Sequence, residues 1–252
     1  MLRLLIAKLG DTGGTQNILI MKKKLCLMML LFQTIAIEIF AQPSITLGFE
    51  VDLGLSSGNV WAGWNLGADE TVPLGYYYSW GETKEKEICT PQNYTFDVKT
   101  YNICGTKYDV AKLLLGGSWC IPSKEDFEEL ISQCKWTWIK YQNHNGYKII
   151  GPNGNSIFLP AVNRANRSGF LNEGFGRYGY YWTSTYSYNN LFCEGPCHFA
   201  FEEKMYYCNC LSDSGWLGFQ IRPVKHKDAT TQKKATSKKA KSKRKATTKR
   251  KK

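Results

Sequence analysis

Cysteine and histidine are the side chains of this sequence best suited to metal binding or nucleophilic chemistry, and five of them lie close together. They are Cys193, Cys197, His198, Cys208 and Cys210. This set offers enough sulfur and nitrogen atoms for a tetrahedral zinc site. Its spacing differs from the two-residue loops of structural zinc sites, and the export signal described below indicates an oxidising compartment. Disulfides or buried thiols are therefore favoured, and we predict no metal site and no cofactor.

Other catalytic chemistry has little support in the sequence. Residues 42–224 contain two histidines, His144 and His198, and His144 lies in a polar stretch that is typical of a loop. The chain has no Gly-x-Ser-x-Gly nucleophile elbow, no phosphate-binding loop and no His-Glu-x-x-His element. We therefore predict no catalytic residue and a protein that is not an enzyme.

Two helices are predicted in the middle of the chain. The first covers residues 108–115 and ends at Gly116-Gly117, a pair that suits a left-handed C-terminal stop. The second begins after Ser123, and Asp126 completes a capping box with it. Four apolar residues then repeat with helical spacing and form one buried stripe: Phe127, Leu130, Ile131 and Cys134.

Two hairpins are predicted after the second helix. The first joins residues 147–150 to 156–159 through a turn rich in Gly, Pro and Asn. The second joins 198–202 to 205–210, with Glu203-Lys204 as its two-residue turn. A closing strand at 218–224 completes the predicted elements.

The second hairpin also predicts a disulfide. With a two-residue turn, the pairing places Cys197 opposite Cys210, and facing side chains come close to disulfide spacing. We predict a Cys197–Cys210 bridge. Three long loops are predicted to present the recognition surface: 163–178, 186–196 and 211–217.

Short phrases rich in Trp and Gly follow one another along residues 51–224. Among them are Val51-Asp52-Leu53-Gly54, Tyr78-Ser79-Trp80-Gly81-Glu82, Trp119-Cys120-Ile121-Pro122-Ser123, Gly179-Tyr180-Tyr181-Trp182-Thr183 and Gly218-Phe219-Gln220-Ile221-Arg222-Pro223-Val224. Their order resembles the Fibrobacter succinogenes major paralogous domain, a bacterial surface and secreted module. The resemblance implies an α+β, C-type-lectin-like fold with two short helices, twisted antiparallel sheets and long ordered loops. It also implies that the tryptophans within the phrases pack in the core.

Two related folds test whether the resemblance carries a site. The phrase that begins at Trp119 is loosely similar to one in the formylglycine-generating enzymes, but Cys120 stands where those enzymes have Arg. An enzyme on that scaffold remains an alternative, and it would bring two cysteines together in a cleft beside a metal ion. The turn Gly151-Pro152-Asn153 resembles the calcium motif of sugar-binding C-type lectins. Gly151 replaces an expected oxygen ligand, so we predict a plain turn.

Aromatic and amide side chains outside the shared phrases are the candidates for ligand contact. They are Tyr186, Tyr188, Asn189, Asn190 and Trp216, to which we add Arg167 in the long polar loop. Flat rings beside amide groups suit the faces of sugars or of protein partners. We predict a binding and adhesion module for a glycan or a surface protein, with a structural component of a surface assembly as the alternative.

The N-terminal region has the pattern of a secretory signal. Three lysines follow Met21, residues 25–37 are mainly apolar, and 39–41 offer a cleavage site before Gln42. This apolar run is shorter than the about 20 residues that cross a membrane. We expect a secreted or cell-surface protein without a transmembrane segment in the mature chain, with the periplasm as the alternative location. The predicted organisation is an upstream extension at 1–20, a signal peptide at 21–41, the major paralogous domain at 42–224 and a disordered tail at 225–252.

The tail carries the positive charge of the chain. Residues 225–252 contain fourteen Lys or Arg and one Asp, a net charge of +13 against +12 for the whole sequence. Such a segment is a candidate for binding lipopolysaccharide, acidic polysaccharide, extracellular DNA or host glycosaminoglycan, with a solubility tail as the alternative. The candidate residues are Lys238, Lys239, Lys241, Lys243, Arg244, Lys245, Lys249 and Arg250.

Overall fold

Two helices and twelve short strands make up the part of the chain that the structure describes. The computed structural model describes residues 49–68, 74–166, 169–170, 175–189, 193–212 and 214–227. Helix α1 is Val110–Leu115, helix α2 is Lys124–Gln133, and a single 3-10 turn spans Pro91–Asn93. In the described ranges, no helix has both the length and the apolar character needed to span a membrane.

Both helices begin and end on local signals. Asp109 caps α1 by accepting a hydrogen bond from the amide of Lys112, and Gly116 ends the helix with a φ of 69°. Ser123 and Asp126 form the predicted capping box at the start of α2. The predictions of both helices are confirmed, with α1 beginning two residues later than expected.

The first sheet joins the two ends of the described chain. Its strands lie in the order β1 (Glu50–Asp52), β2 (Val60–Ala62), β12 (Val224–Lys225) and β3 (Trp119–Cys120). Strand β12 pairs antiparallel with both of its neighbours. Beyond it, the amide of His226 donates to the carbonyl of Ser118. Backbone pairing in the described chain therefore continues beyond Val224, the predicted end of the domain.

Two three-stranded antiparallel sheets and one two-stranded ribbon complete the fold. One three-stranded sheet contains β4 (Lys135–Tyr141), β5 (His144–Ile150) and β6 (Ser156–Pro160). The other three-stranded sheet contains β9 (Gly179–Asn189), β10 (Cys193–Glu202) and β11 (Met205–Cys210). The ribbon pairs β7 (Ala165–Asn166) with β8 (Gly169–Phe170). Both predicted hairpins are confirmed, since Ile150 faces Ser156 and Glu202 faces Met205. The architecture is α+β.

The predicted loop at 186–196 is wrong. Strand β9 runs on to Asn189 and β10 begins at Cys193, so Tyr186 faces Pro196 and Tyr188 faces Glu194. The alternation of tyrosine with serine and threonine along this segment suits a half-buried strand. Pairing with β10 extends the sheet instead of releasing a loop.

The predicted Cys197–Cys210 disulfide is also wrong, although its register is confirmed. Cys197 faces Cys210 across the hairpin, but Cys210 is bonded to Cys193, whose Cα lies 6.1 Å away. Cys197 is a free, buried thiol. Facing residues usually hold their Cβ atoms farther apart than a disulfide requires. A bulge between Pro196 and His198 also changes the direction of the strand at Cys197.

The core contains two large groups of buried side chains and one small group, and aromatic rings stack in both of the large groups. Phe127 of α2 stacks on Phe199 of β10 with ring centroids 4.5 Å apart, and Trp61 packs against Phe127. In the second group, Trp182 stacks on Phe219 with centroids 4.1 Å apart. Of the six tryptophans that lie in the shared phrases, four are buried as predicted: Trp61, Trp80, Trp119 and Trp182. Trp136 and Trp138 are half-buried and pack against the first group.

Candidate functional site

Three tyrosines form a row on the described surface, which we call the tyrosine row: Tyr101, Tyr188 and Tyr186. Tyr186 and Tyr188 share one face of β9 because side chains two residues apart on a strand point the same way. Tyr101 is brought beside them by backbone pairing, since the amide of Tyr186 donates to its carbonyl at 2.8 Å. Ring centroids are 4.3 Å apart for Tyr101 and Tyr188, and 4.5 Å apart for Tyr188 and Tyr186.

The tyrosine row extends from solvent to the core. Tyr101 is 72% exposed, whereas Tyr186 is half-buried and packs on the buried ring of Trp80 at 5.5 Å. Trp80 in turn donates its indole N–H to the carbonyl of Thr183 on β9. The exposed end of the row is therefore supported by rings whose positions are fixed in the core.

The other predicted ligand contacts are only partly assembled in the described structure. Trp216 is half-buried and packs against the core group that includes Trp80, and its carbonyl accepts a hydrogen bond from Ser79. Asn189 is described only by its backbone, at the end of β9. Asn190, Arg167 and the predicted tail contacts from Lys238 to Arg250 lie outside the described residues. Tyr186 and Tyr188 are the predicted residues that the structure brings together.

A second group of residues was not predicted. Cys104, Cys120 and His226 form what we call the thiol–imidazole cluster, in which the ligand atoms all lie within 4.8 Å of one another. Nδ1 of His226 is 3.5 Å from Sγ of Cys120 and 3.9 Å from Sγ of Cys104. Cys120 is buried, whereas Cys104 and His226 are half-buried.

Strand pairing places two members of this cluster together. Val224 of β12 faces Cys120 of β3, and His226 lies two residues beyond Val224. A residue two positions along the partner strand is a diagonal neighbour on the same face of the sheet. The side chain of His226 consequently reaches Cys120.

Asp109 ties the third member to the same place. One of its carboxylate oxygens accepts the amide of Gly105 at 2.8 Å, and the other accepts the amide of Ile121 at 3.1 Å. These amides follow directly after Cys104 and Cys120. A fully buried carboxylate therefore holds the two cysteine segments side by side.

Asp126 fixes the imidazole from the other side. Nε2 of His226 donates to Oδ2 of Asp126 at 3.0 Å. The same oxygen accepts the amide of Ser123, while Oδ1 accepts the side-chain amide of Asn59. All of these partners lie in or beside the first turn of α2, so the carboxylate has little freedom to turn away.

The members of the cluster and Asp126 shift one another's pKa values. The hydrogen bond with Asp126 is the largest cause that raises the pKa of His226 to about 10. A hydrogen bond from Cys120 lowers the pKa of Cys104 to about 6, with His226 acting in the same direction against burial. The interaction with Cys104 and burial raise the pKa of Cys120. A thiolate on Cys104 facing an imidazolium is the favoured charge state, and such a group can act as a nucleophile or a metal ligand.

Sequence reasoning missed this cluster for a physical reason. Cys104 and Cys120 are far apart in the sequence, and His226 lies beyond the predicted end of the domain. The available signal was Cys120 in the position of the expected Arg. The structure places Cys104 beside it, which is half of what the enzyme alternative requires.

No family model, curated protein or solved structure matches this chain.

Proposed function

We propose that this protein is an exported, non-enzymatic binding and adhesion module that recognises a glycan or a surface protein. The observation that carries the proposal is the tyrosine row, in which one ring is 72% exposed and the other two lie behind it. Tyrosine combines apolar area with a hydroxyl that forms hydrogen bonds, and both groups match the face of a sugar ring or a polar protein surface. Rings that are already ordered lose little conformational entropy on binding.

The fold supports the same reading. Two short helices, hairpin sheets and a sheet that joins the two ends of the described chain are compatible with a C-type-lectin-like scaffold. We propose this finer fold, together with membership of the major paralogous domain family, on the strength of the ordered phrases in the sequence. The signal peptide, the export to the cell surface or outside the cell, and polyanion attachment through the basic tail belong to the same proposal.

A glycan and surface-protein array tests the proposal directly. Wild-type protein is compared with Tyr101→Ala, and Tyr207→Ala serves as the control because this tyrosine is also exposed but lies on β11. We expect Tyr101→Ala to lower the affinity for the bound ligand about tenfold or more, a typical loss for an aromatic contact at the centre of an interface. Equal binding by the wild type and Tyr101→Ala would remove the tyrosine row as the recognition surface.

The tail is tested by truncation. Removing residues 228–252 leaves every helix and strand of the described residues in the protein. If the tail binds polyanions, retention on heparin and on DNA falls sharply in the truncated protein and falls with salt in the intact one. Unchanged retention at low salt contradicts the attachment role.

One observation favours the enzyme alternative, namely the contact of Cys104 with Cys120 and with Nδ1 of His226, 3.9 Å from its sulfur, since both neighbours lower the pKa of this thiol. A nucleophilic cysteine of this kind reacts rapidly with alkylating reagents near neutral pH. Iodoacetamide labelling followed by peptide mapping compares Cys104 with Cys134, a half-buried thiol whose pKa is raised to about 11 by burial. Labelling of Cys104 no faster than of Cys134 would dismiss a nucleophilic role.

A further inference from the structure

We propose that Cys104, Cys120 and His226 bind one Zn²⁺ ion, with Asp126 as the positioning residue that orients the imidazole. This site is independent of the tyrosine row and goes beyond the binding function proposed above. It consists of two sulfur atoms and one nitrogen atom that lie within 4.8 Å of one another.

The distances fit a tetrahedral ion. Zinc lies about 2.3 Å from a cysteine sulfur and about 2.0–2.1 Å from a histidine nitrogen, so a sulfur and a nitrogen on one tetrahedral ion are separated by about 3.6 Å. Nδ1 of His226 is 3.5 Å from Sγ of Cys120 and 3.9 Å from Sγ of Cys104. Both sulfur–nitrogen separations therefore lie within a few tenths of an ångström of the value for one shared ion.

The surroundings of His226 select Nδ1 as the ligand atom. Asp126 accepts a hydrogen bond from Nε2, which keeps a proton on that nitrogen. The nitrogen that can lose its proton and offer a lone pair is then Nδ1, and this is the atom that faces both sulfurs. Metal-bound histidines characteristically carry a carboxylate on the far nitrogen, and Asp126 is itself held by Ser123 and Asn59.

The site is organised before any ion arrives. The β3–β12 pairing fixes Cys120 and His226, and Asp109 fixes the segment of Cys104 through Gly105. Three protein ligands leave one tetrahedral position for water, as in zinc sites that remain open to other ligands. Cys104 and the side chain of His226 are both partly exposed, which gives an ion a path of entry.

Two other arrangements would use these residues differently. A disulfide between Cys104 and Cys120 would remove both thiols and leave Nδ1 of the oriented imidazole without a thiol or thiolate partner. A single nucleophilic cysteine would need only one of the two thiols. Two sulfur atoms with one imidazole match the preference of Zn²⁺ for soft and borderline ligands. In an oxidising compartment the disulfide is the competing state, and the peptide map described below separates the two.

The test uses the full-length protein, purified with reductant and stripped of metal, and titrated with Co²⁺ as a coloured substitute and then with Zn²⁺. We expect thiolate-to-cobalt absorption that saturates with one ion and is displaced by Zn²⁺. Cys104→Ser and Cys120→Ser should abolish the absorption, and Asp126→Asn should weaken binding by about 10–100-fold, as is usual for a carboxylate behind a metal-bound histidine. Cys134→Ser is the matched control, because it removes a free, half-buried cysteine outside the cluster and should leave binding unchanged.

Other free cysteines can also bind cobalt, so the loss of absorption in the cysteine variants is needed to assign the ion to this site. Circular dichroism confirms that each variant is folded, and Cys104→Ser is the informative one if the buried Cys120 does not tolerate change. Cobalt absorption that survives in Cys104→Ser, or no absorption by the folded wild type, would overturn the proposal. Peptide mapping that finds a Cys104–Cys120 disulfide in protein purified without reductant would overturn it as well.

Discussion

Oδ2 of Asp126 lies 3.0 Å from Nε2 of His226, a residue 100 positions later in the sequence. Asp126 also completes the capping box of α2 with Ser123. One carboxylate therefore starts a helix and holds the residues that follow β12. Although burial opposes ionisation, the hydrogen bond from His226 holds the pKa of Asp126 below its usual value.

Replacing Asp126 with Ala should lower the free energy of unfolding by about 2–4 kcal/mol, because a helix cap and the partners of a buried carboxylate are lost together. Urea denaturation measures the change. Glu125→Ala is the control, since it removes an exposed carboxylate from the same helical turn and should cost less than about 0.5 kcal/mol. Equal losses in the two variants would show that Asp126 is not the link described here.

The disulfide between Cys193 and Cys210 predicts both a peptide map and a loss of stability. Mapping without reductant should recover these two cysteines in one linked fragment and Cys197 as a free thiol. Cys210→Ser should lower the free energy of unfolding by about 3 kcal/mol, a usual value for a loop of this length. In Cys197→Ser the bridge remains, so the loss should be smaller. A fragment that links Cys197 to Cys210 would contradict the connectivity.

Local signals account for the parts of the fold that the sequence predicts. Ser123 and Asp126 form a capping box only three residues apart, and the turn at Glu203-Lys204 fixes the register of its hairpin without help from distant residues. At the end of β9 the composition does not distinguish a strand from a loop, because tyrosines such as Tyr186 and Tyr188 are common in both. Pairing with β10 makes this segment a strand.

The thiol–imidazole cluster could not be predicted from the sequence because no local pattern connects its members. The pairing of β12 with β3 places His226 beside Cys120, and Asp109 bridges the segments that contain Cys104 and Cys120. Strand β12 has two residues, too few for a hydrophobic period to reveal it. For a related reason the sequence indicates only two of the three residues of the tyrosine row. Tyr186 and Tyr188 were recognised by type, but Tyr101 joins them through backbone pairing.

Arg222 should be the most costly single residue to remove from the core. It is fully buried, and its guanidinium donates to Oδ1 of Asn65, to the carbonyl of Ala62 and to that of Phe158. Arg222→Met should lower the free energy of unfolding by about 3–5 kcal/mol, because three buried acceptors are left unpaired. The control Arg177→Met changes a largely exposed arginine and should cost less than about 0.5 kcal/mol. Chemical denaturation that gives similar midpoints for both variants would contradict the role of Arg222.

His198 should make stability depend on mildly acidic pH. Burial, with a further effect from the charge of Arg164, lowers the pKa of His198 to about 4. Its ring lies among the rings of Tyr180, Tyr207 and Phe219. The unfolded chain binds a proton near pH 6.5, whereas the folded chain does so only near pH 4. The stability from neutral His198 is thus complete above about pH 6.5 and is lost as the pH falls towards 4.

That loss amounts to about 3 kcal/mol at most, from the difference between the two pKa values. Urea midpoints measured between pH 7.5 and pH 4.5 should fall less steeply in His198→Gln than in the wild type, because the glutamine does not titrate. His144→Gln is the control: burial lowers the pKa of His144 as well, but this residue is half-buried at the start of β5 and should change the slope less. Carboxylates contribute equally to all three proteins, so the difference between the slopes isolates each histidine. Parallel slopes for His198→Gln and the wild type would show that His198 is protonated as readily in the folded chain as in the unfolded one.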